Sequence, residues 1–418
     1  MKRAFLLAHG ITSAGKGRLF LASALTLAAY LFLAYGVYSL FTSQIPSGND
    51  FYPRWRGTRA LLLEGKDPYS EEVTLEIQRG MYGRPARGDE DQVAFAYPLY
   101  ISLFILPLAF LPYPQAQALW LSGLVFLTLA TVITTLRTFD WKPSPGVLLA
   151  LSLWCLLLYP TARGVILGQF SILVLALVTL ALWAIKHRRD LLAGSCLALA
   201  TIKPQMVFLL IPLLLLWALT QSRRRVVGSF IVVMMVLLLI STLILPSWIP
   251  GFLAGLGQYR LYTGKYTGSR SPLEILFTSL FPTSISFGVA IFVSLLLGGY
   301  LIYRWGQVVK GREQFWPAIF MAIIVTLLIP VQTGTTNQVL LLPPLIFWLT
   351  QWAKRWWVAI PLSLALLLGP WALFLVTVQG DAEQPIMFLP LPLFALIYLL
   401  AIGLRNSTAL RGRGDATS

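Results

Sequence analysis

Asp50, Gln169 and Lys203 are polar residues set at the edges of long apolar runs, and each brings a different chemistry. Asp50 follows the first apolar run, in Gly48–Tyr69 (GNDFYPRWRGTRALLLEGKDPY), so its carboxylate lies at the water edge of a bilayer. A carboxylate there can act as general base on a hydroxyl, or serve as a helix cap or surface acid. Lys203, flanked by LALATI and PQMVFLL, must face protein or a water-filled cavity, or snorkel from a short helix end. Pro204 is expected to break the helix beside it. Arg163 and Gln169 stand close together in TARGVILGQ. A guanidinium forks onto a phosphate and an amide meets sugar hydroxyls with both ends, while capping and interface anchoring are the plainer roles.

A second group of cations lies in 247–285, where GLGQYRLYTGKYTGSRSP carries Arg260, Lys265 and Arg270, with Glu274 the one acid of the segment. Interleaved with Tyr259, Tyr262 and Tyr266, they suit a phosphate or diphosphate, or the head groups of anionic lipids. Tyr97, Gln205 and the polar run Gln332–Gln338, with Asn337 inside it, are further candidates for sugar or acceptor contacts. Arg54, Arg56 and Arg59, mixed with Tyr52 and Trp55, would guide an anion if this piece is a helix lying on the membrane, or form a solvated face. Asp67 before Pro68 reads as a turn former. Asp89, Glu90 and Asp91 have a spacing that can hold a metal, but a short acidic match in a polar loop is weak and the reading is metal-independent, without a cofactor. Cys155 and Cys196 lie in apolar runs without CxxC spacing, and His9 and His187 are the only histidines, which supports neither a disulfide framework nor a zinc site.

The elements that must position these residues are membrane spans. With 57% hydrophobic and 11% charged residues, and a mean hydropathy of +0.75 over 418 residues, the chain is an integral membrane protein. Recurring apolar runs predict an all-α polytopic fold of about 12–13 transmembrane helices in one domain. Its large first external loop, 42–93, is expected to carry short membrane-surface helices, and a second basic external loop spans 247–285. Lys2, Arg3, Lys16 and Arg18 precede a first run too long for a cleaved signal, which predicts an anchor with its N-terminus inside. The clusters at Lys186–Arg189, Arg223–Arg225, Arg304–Arg312, Lys354–Arg355 and Arg405–Arg413 fit cytoplasmic loops. The net charge of +16 therefore reports topology, not nucleic acid. Parity singles out the run Gly146–Tyr159, between Pro145 and Pro160, as one that does not fully cross, which favours twelve crossings with both ends inside.

The order of several motifs resembles glycosyltransferase family 87. The acid after the first span is followed by Gly65-Lys66-Asp67-Pro68-Tyr69, by Phe95-Ala96-Tyr97-Pro98 at a later span entry, by Gly168-Gln169, and by Ile202-Lys203-Pro204-Gln205. Two departures are Leu99 in place of a second proline after Tyr97-Pro98, and Gln332–Asn337 where mannosyltransferase members carry a histidine. The resemblance implies a GT-C fold in a bacterial plasma membrane, an external active site, a polyprenyl-phosphate sugar donor and a lipid or glycan acceptor. It implies Asp50 as base in an inverting displacement and mannose as the transferred sugar, with a pentose second. Lys203, Arg163, Arg260, Lys265 and Arg270 would then meet the leaving phosphate, while Gln169 and Gln205 orient the sugar. A flippase or transporter of lipid-linked sugars is the competing expectation, although no internal hydropathy repeat is visible.

Overall fold

Inside hydrocarbon a backbone must satisfy its own hydrogen bonds, and the leucine- and alanine-rich runs of this chain do so as helices. The computed structural model describes residues 13–44, 50–88, 90–267, 270–329, 333–353, 355–379 and 383–414. Helix α1 (Ser13–Val37) continues through a π-helical turn to Thr42 and leads to α2 (Phe51–Glu64) and α3 (Glu71–Tyr82). Next come α4 (Ser102–Ala109), α5 (Tyr113–Thr138), α6 (Pro145–Leu157), α7 (Tyr159–Ile166), α8 (Ser171–Lys186) and α9 (Asp190–Ala200). The second half holds α10 (Leu210–Thr220), α11 (Arg224–Ile244), α12 (Trp248–Thr267), α13 (Pro272–Thr278), α14 (Thr283–Val309) and α15 (Phe315–Leu328). It closes with α16 (Leu342–Trp352), α17 (Trp356–Thr377) and α18 (Pro390–Gly414).

Two helices form the centre. Every residue of α15 from Ala318 to Leu328 is buried, and α8, buried over most of its length, packs against α5 and α9. Such all-round apolar helices belong in an interior. By contrast α1, α11, α14 and α17 turn large apolar side chains outward, among them Phe32, Leu243, Leu295 and Val376, as a lipid-facing surface requires. Close approach of α9 to α11 depends on Gly194, where a Cβ would collide with Ser229 Oγ and the Val226 carbonyl.

Among the described residues six helical segments are long and apolar enough to cross a membrane, or seven if α6 and α7 count as one bent span. Six further apolar helices are 10–17 residues long, so the expected twelve or thirteen crossings exceed what full-length helices supply. The run read as not fully crossing is the bent pair: α6 and α7 meet at 63°. Leu158, at the joint, has an extended ψ of 131°, and Pro160 lacks the N–H that would carry the helix through.

The first loop is two helices with a turn between them. Gly65 ends α2 in the left-handed region (φ 65°), where a Cβ is unfavourable. Asp67 Oδ1 then accepts from the Tyr69 N–H at 2.8 Å, and Ser70 Oγ caps α3, whose first turn carries Glu71 and Glu72. Helix α2 buries Phe51, Pro53, Arg54, Trp55, Gly57 and Thr58, six of its first eight residues, and packs against α4 and α5.

Candidate functional site

Asp50 stands at the position before α2, yet its side chain makes no capping bond. Its Oδ2 accepts instead from Gln169 Nε2. Gln169 is placed by the way α7 ends. Gly168, at φ 66°, gives its N–H to Val165 O at 3.0 Å, and the Gln169 N–H reaches back to Gly164 O at 2.8 Å, a paired closure that needs a left-handed residue between them. Trp120 locks both sides. Its Nε1 donates to Gly168 O at 2.8 Å, and its ring stacks on Phe51 at 5.2 Å and meets Phe170 at a tilt, 4.5 Å away. The residues following the acid and following the amide therefore share one aromatic plate.

Lys203 completes a chain of polar side chains. Helix α9 stops at Ala200, and Pro204 opens a single 3-10 turn, so Lys203 sits in an interruption between two apolar helices. Its Nζ donates to Gln169 Oε1 at 2.9 Å and to Ser171 Oγ at 2.7 Å, and the residue is only 5% exposed. Ser171 Oγ donates onward to Asn337 Oδ1 at 3.3 Å. Gln169 can serve a carboxylate and an ammonium together in only one orientation, amide nitrogen to Asp50 and oxygen to Lys203. The lysine thus reaches the aspartate through a neutral relay, without direct contact.

Asn337 belongs to a buried polar wedge. Thr335, Thr336, Asn337 and Gln338 form the start of a 3-10 helix packed on α7, α8, α15 and α18. Gln338 Nε2 holds the carbonyls of Met387 and Phe388 at 3.3 and 3.1 Å, which explains how amides survive there. Beside the wedge, Glu383 Oε2 accepts from Thr335 Oγ1 at 2.9 Å, and its Oε1 accepts from Tyr159 Oη at 2.7 Å. Arg163 Nε lies 3.4 Å from Glu383 Oε2, with its guanidinium over Phe374.

The arginines of α2 have internal partners. Arg54 Nη1 donates to the Asp50 carbonyl at 2.9 Å and its guanidinium lies 4.5 Å from the centre of the buried Tyr97 ring. Arg56 is forked onto Glu64 and also paired with Glu76. Arg59 Nη1 caps the end of α4 at Ala109 O, 2.7 Å away. The acidic triplet is divided: Glu90 pairs with Arg84, which with the Arg87 N–H pulls its carboxyl down to about 2, while Asp91 is pushed up to about 6 by burial and then by the charge of Asp50. Among the described residues no three His, Cys, Asp or Glu side chains gather in a way that could hold a metal.

Asp50, Gln169, Lys203 and Asn337 are therefore brought together from four distant stretches, with Tyr97 one arginine away. Gln205 and Arg270 are exposed and join none of these bonds among the described residues. Gln332, and the side chains of Tyr259, Arg260 and Lys265, lie outside the described residues. Ser171 and Glu383 are additions to the sequence reading. Ser171 gave no signal beyond its place two residues after Gln169, and Glu383 shares the polar segment before the last apolar run with Asp381, so neither stood out.

Fold and site together define an all-α, multi-pass membrane protein with a hydrogen-bonded polar network inside its helical bundle. Residues 95–273 match the family model described as Glycosyltransferase family 87. That match spans Tyr97, Arg163, Gln169, Ser171 and Lys203, so over this stretch the chain is similar to glycosyltransferase family 87, which supports a glycosyltransferase. No curated protein and no solved structure matches the chain.

Proposed function

We propose that the chain transfers a sugar, mannose by the family resemblance, from a polyprenyl-phosphate donor to a lipid or glycan acceptor at the outer face of a bacterial plasma membrane. The observation that carries this reading is the Asp50–Gln169–Lys203 relay. Asp50 takes the proton of the acceptor hydroxyl as that oxygen bonds to the anomeric carbon, and the bond from that carbon to the phosphate oxygen breaks with inversion. A polyprenyl phosphate is a good leaving group that needs positive charge more than a proton. Lys203, buried and partnered only by neutral groups among the described residues, supplies that charge, with Arg163 and the Arg260, Lys265 and Arg270 segment as further cations. Gln169 orients the sugar, with Gln205, Tyr97, Tyr259, Gln332 and Asn337 around it.

A lipid tail also has a place to lie. An apolar groove of about 200 Å³ runs between α2, α4 and α11, walled by Leu61, Leu103, Leu106 and Ile244. Tyr100 joins this groove to the site, since its hydroxyl bonds Thr201 at 3.0 Å, two residues before Lys203. The test is sugar transfer from a synthetic polyprenyl-phosphate mannose to glycolipid acceptors by wild type and Asp50→Asn, with donor binding measured alongside. Transfer that vanishes in the variant while binding persists supports the reading. Donor binding with no transfer to any acceptor would favour a carrier of lipid-linked sugars, and transfer indifferent to Asp50→Asn would remove the base.

A further inference from the structure

The end of α8 opposite the relay holds a cavity that the chemistry above does not use. It has a volume of about 280 Å³ and lies where the last turns of α8 and α10 meet the residue before α11 and the first turn of α15. Trp217, Phe315 and Trp316 wall it, the Phe315 ring standing 4.7 Å from that of Trp217 and 5.2 Å from that of Trp316. Lys186, Arg188 and Arg223 also line it, and among the described residues no acid does. Its size is close to the ~300 Å³ at which small-molecule sites begin.

The three cations differ in how far they are already satisfied. Arg223 is 6% exposed and fixed in place: Asp190 accepts from its Nε and Nη2, Ile185 O accepts from its Nη1 at 2.9 Å, and Trp217 packs on its face. Those bonds use three of the five N–H donors of a guanidinium. Lys186 meets Asp140, but that carboxylate is 77% exposed, so water weakens the pair and leaves the ammonium free to turn to another anion. Arg188 is exposed at the rim, and the two acids of this end bond Lys186 and Arg223 instead. The excess of positive charge favours an anion in the cavity.

The surroundings select the kind of anion. Tryptophans mixed with cations at helix ends mark the head-group depth of a bilayer, and the clusters Lys186–Arg189 and Arg223–Arg225 fit its cytoplasmic side, where anionic lipids gather. On the same turns of α10 as Trp217, Leu216 and Leu219 are each 52% exposed, a path for acyl chains that a water-soluble phosphate has no use for. A zwitterionic head group would bring an ammonium among three cations, whereas a phosphate diester with no such group takes forked bonds from guanidinium at no such cost. We infer that this cavity binds an anionic phospholipid of the cytoplasmic leaflet, with Lys186, Arg188 and Arg223 around its phosphate and the Trp217, Phe315 and Trp316 wall against its glycerol carbons. The site is separate from the relay and stands whether or not the chain transfers sugar.

The experiment is native mass spectrometry of the detergent-purified full chain, titrated with dioleoyl phosphatidylglycerol or with dioleoyl phosphatidylcholine, which share their tails and differ in head-group charge. Wild type is compared with Arg188→Gln, with the double variant Lys186→Gln/Arg188→Gln, and with Arg225→Gln, which removes an exposed cation of the same basic region that does not line the cavity. Glutamine keeps a Cβ at the left-handed position of residue 188 (φ 57°), so the backbone there is under the same constraint in each protein. The expected result is a first phosphatidylglycerol bound about tenfold tighter than phosphatidylcholine, a loss of about tenfold in Arg188→Gln, and no preference left in the double variant. Arg225→Gln should stay within about twofold of wild type. Equal binding of the two lipids, or a preference that survives the double variant, would overturn the site. An equal loss in Arg225→Gln would reduce it to diffuse attraction between a basic surface and anionic lipid. Inorganic phosphate that displaces phosphatidylglycerol at equal concentration would assign the cavity to a soluble anion and overturn the lipid. Because binding is read without turnover, failure of the transfer reaction would leave these outcomes intact and count only against the proposed activity.

Discussion

Lysines 186 and 203 mark opposite ends of α8 and show two ways of holding a charge in an apolar protein. Lys186 ends the helix, is 30% exposed, and meets a carboxylate directly in Asp140 while also donating to Thr138 O at 2.6 Å. Lys203 touches the first residue of the helix, about 24 Å away at ~1.5 Å per residue, and is enclosed, with two neutral partners and its nearest acid one amide removed. The first arrangement neutralises the charge where water already weakens it. The second keeps the charge in a medium where it acts strongly, next to a site where a phosphate would leave.

The two ends also terminate their helices differently. At the Lys186 end Asp140, Arg188 and Ser222 all take the left-handed conformation, at φ 55°, 57° and 56°, and Arg223 is forked onto Asp190 under Trp217. That end encloses a basic, aromatic-walled cavity of about 280 Å³ between Arg188, Trp217, Arg223 and Trp316. At the other end the matching left-handed position is Gly168, where no Cβ resists. Strain is tolerated where charges face outward and is absent where the relay must be exact in position.

The strongest way to break the contrast is to remove the acid at the relay end. Asp50→Asn should lower the transfer rate by about 10²–10⁴-fold at unchanged donor affinity, measured as single-turnover rates. Exchanging the lysines sharpens it. Lys203→Met should weaken donor binding or lower kcat by about 10²-fold, whereas Lys186→Met should shift either by less than about twofold, as an exposed pair is worth about 0–1 kcal/mol. The acids give a stability counterpart. Burial raises Asp91 from 3.8 to about 6, so the stability tied to this group is full below the ordinary carboxylate range and is lost as pH rises through about 6. Asp91→Asn should therefore raise stability at pH 7 by about 2–3 kcal/mol, with little gain at pH 4, read from thermal unfolding at both pH values. The smallest effect lies at the strained end. Arg188→Gly should add about 0.5–1 kcal/mol to stability and leave transfer untouched.

What could be read from the chain without its fold divides along the same line. Asp50, Gln169 and Lys203 stood out because each is polar beside an apolar run, and hydropathy alone marked α1, α5, α11, α14 and α17. Which residue meets which was not legible. The Gln169 amide bridges partners 119 and 34 positions away, and nothing local in the sequence encodes that meeting. The α2 arginines were misjudged for a related reason: their charge suggested an exposed face, but Gly57 admits Phe95 onto the helix and draws Arg54 and Arg59 onto buried carbonyls. Glu383 and Ser171 matter through partners far along the chain, Tyr159, Arg163 and Thr335 for the acid and Lys203 and Asn337 for the serine, so no single-residue signal could have marked them.

The relay is assembled from α2, the start of α8, the break after α9 and the 3-10 helix before α16, the last of these 166 positions from Ser171. During synthesis the acid and the amide are in place long before the segment carrying Asn337 and Glu383 has left the ribosome. The network therefore closes only when the late helices have entered the bilayer and packed, a long-range step of the kind that slows folding. A chain stalled or cut before residue 333 would carry Asp50 and Lys203 yet lack the wedge that seats them, so transfer activity doubles as an assay of complete insertion.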